Sequence, residues 1–184
     1  MKGVIPRCLA ELVQDKYGMD RWKEILKSAG QDPNMPNFLV VSDIDDALVM
    51  KLVEITMQSL GMTPQELADA FGAYWMDSFA PKYYSAYLRN VKGAAEFLLK
   101  IDWIHTMTTK AIQGAKPPRF SYSWPNDRTL EIRYDSNRGL IDFAVGLAKG
   151  VGRHFGEDLH VSKVSANRFQ IVFPRPQELA QVQK

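Results

Sequence analysis

The sequence predicts an α+β fold: helices through the first two thirds, then a small antiparallel sheet with one long helix. Apolar residues recur at helical spacing from Val4 up to the Pro117-Pro118 pair. Beyond those prolines the period drops to two, over Arg119–Trp124, Thr129–Arg138, Leu159–Ser165 and Arg168–Phe173. Between the second and third of these runs a helical stripe returns, from Leu140 to Phe155. Helices first and strands last is the α+β order.

Taken in turn, Val4, Ile5, Cys8, Leu9, Leu12 and Val13 give a first helix that Gly18 closes. Asp20 opens a shorter one through Trp22, Ile25 and Leu26, stopped by Gly30, and residues 31–37 with two prolines read as loop. Ser42 with Asp45 resembles a capping box for a helix through Leu48, Leu52, Ile55 and Leu60 to Gly61. Thr63-Pro64-Gln65-Glu66 is a stronger start signal, for a helix through Leu67, Phe71 and Trp75 towards Phe79, before Pro81. After an aromatic segment with Tyr83, Tyr84 and Tyr87, a long helix is expected from Val91 to Gln113, closed by Gly114. Pro125-Asn126-Asp127 and Ala166-Asn167 are the expected strand turns. The 184 residues are read as one domain over 1–174 and a polar tail over 175–184, disordered by expectation.

Composition narrows the function classes. A net charge of +2 and no dense Lys/Arg block argue for neither nucleic acid nor a membrane surface. One cysteine, Cys8, excludes an internal disulfide framework and a cysteine-cluster zinc site, and reads as a small core residue. There is no signal-peptide core and no apolar run of membrane-spanning length, so the chain is read as cytoplasmic.

On a strand over Thr129–Arg138, alternate side chains share a face. Leu130, Ile132, Tyr134, Ser136 and Arg138 then lie together, apolar at one end and polar at the other, an arrangement suited to an anionic ligand with an apolar body. His154 and His160 sit among charged neighbours and read as solvated. His105 instead shares a stripe with Phe97, Ile101, Ile104, Thr108 and Ile112, which leaves two readings, a paired core histidine or a metal ligand. An imidazole on an apolar wall, combined with the Tyr/Ser/Arg face, suits a flat apolar cofactor bearing iron and carboxylates, as haem does. Phe143 and Leu147 fit an apolar helix stripe, and Pro117-Pro118 a helix stop.

The sequence resembles the haem-nitric oxide/oxygen binding (H-NOX) family, related to the haem domain of soluble guanylate cyclase. The motif Tyr134-x-Ser136-x-Arg138, His105 on its long helix, and Gly114-Ala115-Lys116-Pro117-Pro118-Arg119 carry the resemblance, with Phe71-Gly72 and Gly146 to Gly150 in support. It runs from Met1-Lys2-Gly3 to about Phe173. It implies haem b, ligated by His105 on the proximal side, its propionates held by Tyr134, Ser136 and Arg138 and its plane distorted by Pro118. Oxygen-binding members place a tyrosine where Phe143 stands, a tryptophan at Leu9 and an asparagine at Trp75. Ile5, Trp75, Phe79, Phe143 and Leu147 are then expected to form an apolar distal wall, selective for NO and CO with little stable oxygen complex.

The resemblance also implies a sensor and not an enzyme. NO weakens the iron–histidine bond, and the helix bearing His105 shifts. The chain ends soon after the domain, so it is expected to act, as a monomer, on a separate partner, a histidine kinase or a cyclic-di-GMP enzyme. The rival reading is a haem-free sensory module in which Tyr134, Ser136 and Arg138 hold an acidic metabolite or lipid.

Overall fold

The computed structural model describes residues 1–110 and 116–178, arranged as two compact units, 1–67 and 68–184. In the first, helices α1 (Val4–Tyr17), α2 (Met19–Ser28) and α3 (Asp46–Leu60) pack on one another. They bury Cys8, Leu9, Leu12, Val13, Trp22, Ile25, Leu26, Val49 and Leu52. Burial pushes the Cys8 thiol well up, so the group is inert at neutral pH. The cap of α3 differs from expectation: the helix starts at Asp46, and Asp45 itself caps it by accepting from the Ala47 N–H at 3.0 Å. The Thr63 box forms as predicted. Glu66 accepts from the Thr63 N–H at 2.8 Å, and the Thr63 hydroxyl accepts from the Glu66 N–H at 3.2 Å.

The unit boundary falls inside α4 (Pro64–Tyr74), which runs into a π turn, Trp75–Phe79. The helix expected to end before Pro81 instead resumes as α5 (Ala80–Tyr83). The widened turn places Pro81 in the first turn of that next helix, where its missing N–H costs nothing. The aromatic segment adds α6 (Ser85–Leu88). Helix α7 covers Ala94–Thr109, shorter at its start than the expected Val91 because Gly93 is fully extended. Its expected end, Ile112 to Gly114, lies outside the described residues.

Strands β1 (Arg119–Asn126), β2 (Thr129–Asp135), β3 (His160–Ser165) and β4 (Arg168–Val172) form one antiparallel sheet in the order β1-β2-β4-β3. Pro125 lies within β1 and not in the turn, which an edge strand with a bulge tolerates. Helix α8 (Ile141–His154) packs on β3, β4, α7 and the π turn. The core of this unit joins Leu130, Ile132 and Tyr134 to Leu98, Ile141, Val145, Ala148, Phe169 and Ile171.

Strand β2 stops three residues short of Arg138. After Asp135 the chain turns, with Gly139 at φ 65°. Alternation survives the end of the ladder: Asp135 and Asn137 are exposed, while Ser136 and Arg138 are half-buried. The shared face therefore continues through a turn and not along a continuous strand.

Candidate functional site

Three elements of the second unit bring the predicted polar residues together. In the β1–β2 ladder Phe120 pairs with Tyr134, their ring centroids 5.7 Å apart. Phe120 also meets the His105 imidazole on α7 at 5.4 Å. The strand ladder and helix α7 thus connect histidine and tyrosine through one phenyl ring. Phe120 carries no chemistry of its own, and its only sequence signal is its position two residues after Pro118.

Tyr134 is 6% exposed. Burial pushes its phenol up, opposed by hydrogen bonds with the Ser136 hydroxyl and the Leu140 backbone N–H and by the charge of the Arg138 guanidinium. The Arg138 backbone N–H donates to Ser136 Oγ at 3.3 Å, and its guanidinium donates to the Lys116 carbonyl at 2.6 Å. That second bond ties the turn after β2 to the segment bearing Pro117 and Pro118. The three side chains therefore form one cluster of hydroxyl and guanidinium donors, able to hold carboxylates.

His105 has a fully buried Nδ1 with no hydrogen-bond partner. Burial lowers its pKa, against the Pro118 carbonyl and the Asp102 carboxylate, which favour the cation. A neutral imidazole with a spare nitrogen in apolar surroundings is competent to take a metal. Among the described residues no group of three or more His, Cys, Asp or Glu side chains gathers that could hold a metal ion.

No sequence pattern marks Asp102 as a site residue. It lies one turn before His105, and its carboxylate accepts from Arg119 Nε at 2.8 Å, Arg119 Nη2 at 2.6 Å and the Phe120 N–H at 2.8 Å. The Arg119 bonds hold its carboxyl below the usual range, burial notwithstanding. The Asp102 N–H in turn donates to the Tyr122 hydroxyl at 3.2 Å, a phenol that burial pushes up to about 12. Helix α7 is so fastened to β1 beside the histidine. At its start the Ala94 N–H donates to Glu157 at 2.7 Å.

A second cluster is aromatic. Phe143 on α8 meets Phe71 edge-on at 5.0 Å, Phe71 meets Trp75 at 5.8 Å, and Trp75 meets Phe79 at 5.0 Å. Of the expected distal residues, the structure connects Trp75, Phe79 and Phe143 by ring contacts. Leu147 is half-buried one turn beyond Phe143, and Ile5 is half-buried in the first turn of α1, within the other unit. The glycines of α8 have a specific packing role. A Cβ on Gly146 would overlap the Ala68 carbonyl, and one on Gly150 the Gly72 carbonyl, so the two helix backbones touch. His154 and His160 are exposed, as expected.

The family model described as haem-NO-binding matches residues 2–163. Among curated relatives, soluble guanylate cyclase gcy-32 of Caenorhabditis elegans is 25% identical over 179 residues, covering 92% of this chain and 25% of the relative. Soluble guanylate cyclase gcy-34 of the same organism is 26% identical over 162 residues, covering 83% of this chain and 23% of the relative. The chain thus spans about a quarter of the length of these relatives. Among solved structures, an oxygen-binding H-NOX domain related to soluble guanylate cyclases superposes with a TM-score of 0.82 at 27% identity, covering 96% of each chain. A T. tengcongensis H-NOX variant superposes at 0.81 with 26% identity, covering 96% of this chain and 99% of that one. The chain belongs to the haem-NO-binding (H-NOX) family of haem-binding gas-sensor domains related to soluble guanylate cyclase.

Proposed function

We propose that the chain senses NO, and also binds CO, at iron(II) haem b, forms little stable oxygen complex, and signals in trans. The residues fit the cofactor. The buried, unpartnered Nδ1 of His105 and the neutral state that burial imposes suit an iron ligand. Tyr134, Ser136 and Arg138 supply donors for two propionates, and Pro118 adjoins the imidazole. When bound, haem would be held by His105 and would supply an iron able to take a diatomic gas.

Phe143 carries the reading of gas preference. It is 9% exposed and lies edge-on to Phe71, and it has no donor to offer. Iron-bound oxygen carries partial negative charge, and a hydrogen bond to such an acceptor is worth about 1.5 kcal/mol or more. Bound NO needs much less help, so an aromatic wall of Phe71, Phe79 and Phe143 favours NO.

Transmission belongs to α7. Displacement of His105 loads the Asp102–Arg119 pair one turn away and the Glu157 cap at the helix start. On this reading residues 1–174 act as one sensor domain, cytoplasmic and monomeric, with no catalytic role in the signalling itself. The partner is a histidine kinase or a cyclic-di-GMP enzyme. Among the described residues no helix is long and apolar enough to cross a membrane.

Absorption spectra of the iron(II) protein in air, under CO and under NO test this. A five-coordinate NO spectrum with no oxy form is expected, and a stable oxy complex overturns the reading of Phe143. His105→Gly is expected to lose haem unless imidazole is supplied; undiminished haem binding without it disproves the ligand assignment.

A further inference from the structure

Besides its contact with Phe71, which leads only to the phenyl ring of Phe143, two aromatic paths leave Trp75, and they differ in chemistry. Along the first, Trp75 stacks on Tyr84 at 5.9 Å and 19°, Tyr84 meets Tyr87 at 6.2 Å, and Tyr87 meets Trp103 edge-on at 6.0 Å. Trp103 lies on α7 and is 53% exposed. Every ring on this path is an indole or a phenol. Along the second, Trp75 meets Phe79 at 5.0 Å, and Phe79 meets Tyr83 at 4.5 Å, with the Lys82 ammonium 4.9 Å from the Tyr83 centroid.

Indole and phenol give up a single electron far more readily than phenyl. The second path is therefore broken at Phe79, and the ammonium over Tyr83 opposes removing an electron from that ring. All separations on the first path are those of touching aromatic pairs, roughly 4.5–7 Å between centroids. Electrons can pass between such rings without an intervening group. Burial does not account for the far end, since more than half of Trp103 is in water.

We propose that Trp75, Tyr84, Tyr87 and Trp103 form an electron relay between the surface and the haem pocket, which discharges oxidising equivalents left there by peroxides. The relay rests on the haem reading given above. In the balanced step the O–O bond of hydrogen peroxide breaks, and two electrons and two protons convert it to two waters. The electrons leave Trp75 one at a time and are replaced in turn from Tyr84, Tyr87 and Trp103. Each phenol releases its proton to water as its electron leaves and regains one on re-reduction. A soluble one-electron reductant of the ascorbate class restores Trp103, two being consumed per peroxide.

The test uses the full chain loaded with haem, the loading verified by its Soret band and a pyridine haemochrome assay. The protein is titrated with hydrogen peroxide without reductant, and oxidised residues are mapped by peptide mass spectrometry. Oxygen addition at Trp103 is expected to exceed that in haem-free protein several-fold, and to be suppressed by ascorbate. Tyr87→Phe keeps the ring but removes the phenol; Trp103 oxidation is expected to fall several-fold, oxidation to appear at Trp75 and Tyr84, and haem bleaching to quicken. Tyr83→Phe is expected to change neither the pattern nor the bleaching rate. Equal Trp103 oxidation with and without haem, or no effect of Tyr87→Phe, overturns the relay alone. A chain that takes up no haem overturns the functional reading and the relay with it.

Discussion

Asp102 holds Arg119 through both oxygens of its carboxylate, at 2.8 and 2.6 Å, and so joins the helix bearing His105 to the first strand of the sheet. The pair is asymmetric in environment, with the carboxylate side chain 21% exposed and the guanidinium 62% exposed. Its strength therefore lies in the directed hydrogen bonds more than in Coulomb attraction, which water screens around the arginine.

Asp102→Asn is expected to lower stability at neutral pH by about 1 kcal/mol. Because the folded carboxyl titrates below its unfolded value, its contribution is complete above pH about 4 and disappears as pH falls through the folded pKa. The difference between wild type and variant should close on that acid side. Urea titrations across a pH series measure it, and a gap independent of pH would contradict the assignment.

At Gly146 two effects oppose each other. Helix propensity favours alanine by about 1 kcal/mol. The new methyl would meet the backbone carbonyl of Ala68, which cannot swing aside as a side chain would, and such overpacking costs about 3 kcal/mol. Gly146→Ala is thus expected to destabilise by about 2 kcal/mol in chemical denaturation, the sum of these terms. A stabilised variant would show that the helices can separate at no cost.

Phe143→Tyr introduces a phenol into the aromatic cluster with Phe71. If the new hydroxyl reaches the bound gas, a bond of about 1.5 kcal/mol should prolong an oxy complex roughly tenfold. Following the iron(II) spectrum after exposure to air measures its lifetime. An unchanged lifetime would place the gas away from this ring.

Glu157→Ala removes the side-chain acceptor from the Ala94 N–H, with an expected cost of about 1 kcal/mol, as for other helix caps. Glu157→Gln should cost less, since an amide oxygen still accepts. Thermal melts compare the two, and amide exchange should quicken first at the start of α7.

Much of the fold was legible in sequence because period and punctuation agree there. Thr63-Pro64-Gln65-Glu66 announced its helix by side chains that satisfy their own backbone. The end of β2 does not show in the sequence, because Ser136 and Arg138 keep the alternation of a strand while the backbone has already turned. At Pro81 the ordinary stop rule fails because the preceding π turn places the proline in the first turn of the next helix. The polar cluster was visible as a motif, but Asp102 and Phe120 were not. One looks like a charge on a helix surface and the other like any strand aromatic; only the tertiary register between α7 and β1 gives them a role.

The turn Trp75–Phe79 uses one residue more than an α-helix needs. Successive residues on a helix are separated by about 100° around its axis, so that surplus residue rotates everything after it by the same amount. Trp75 lies before the offset and Tyr83, Tyr84 and Tyr87 after it. The backbone here works as an angular setting: deleting the exposed Asp77 or Ser78 would leave the apolar content unchanged, yet turn Tyr84 away from the indole it now stacks on.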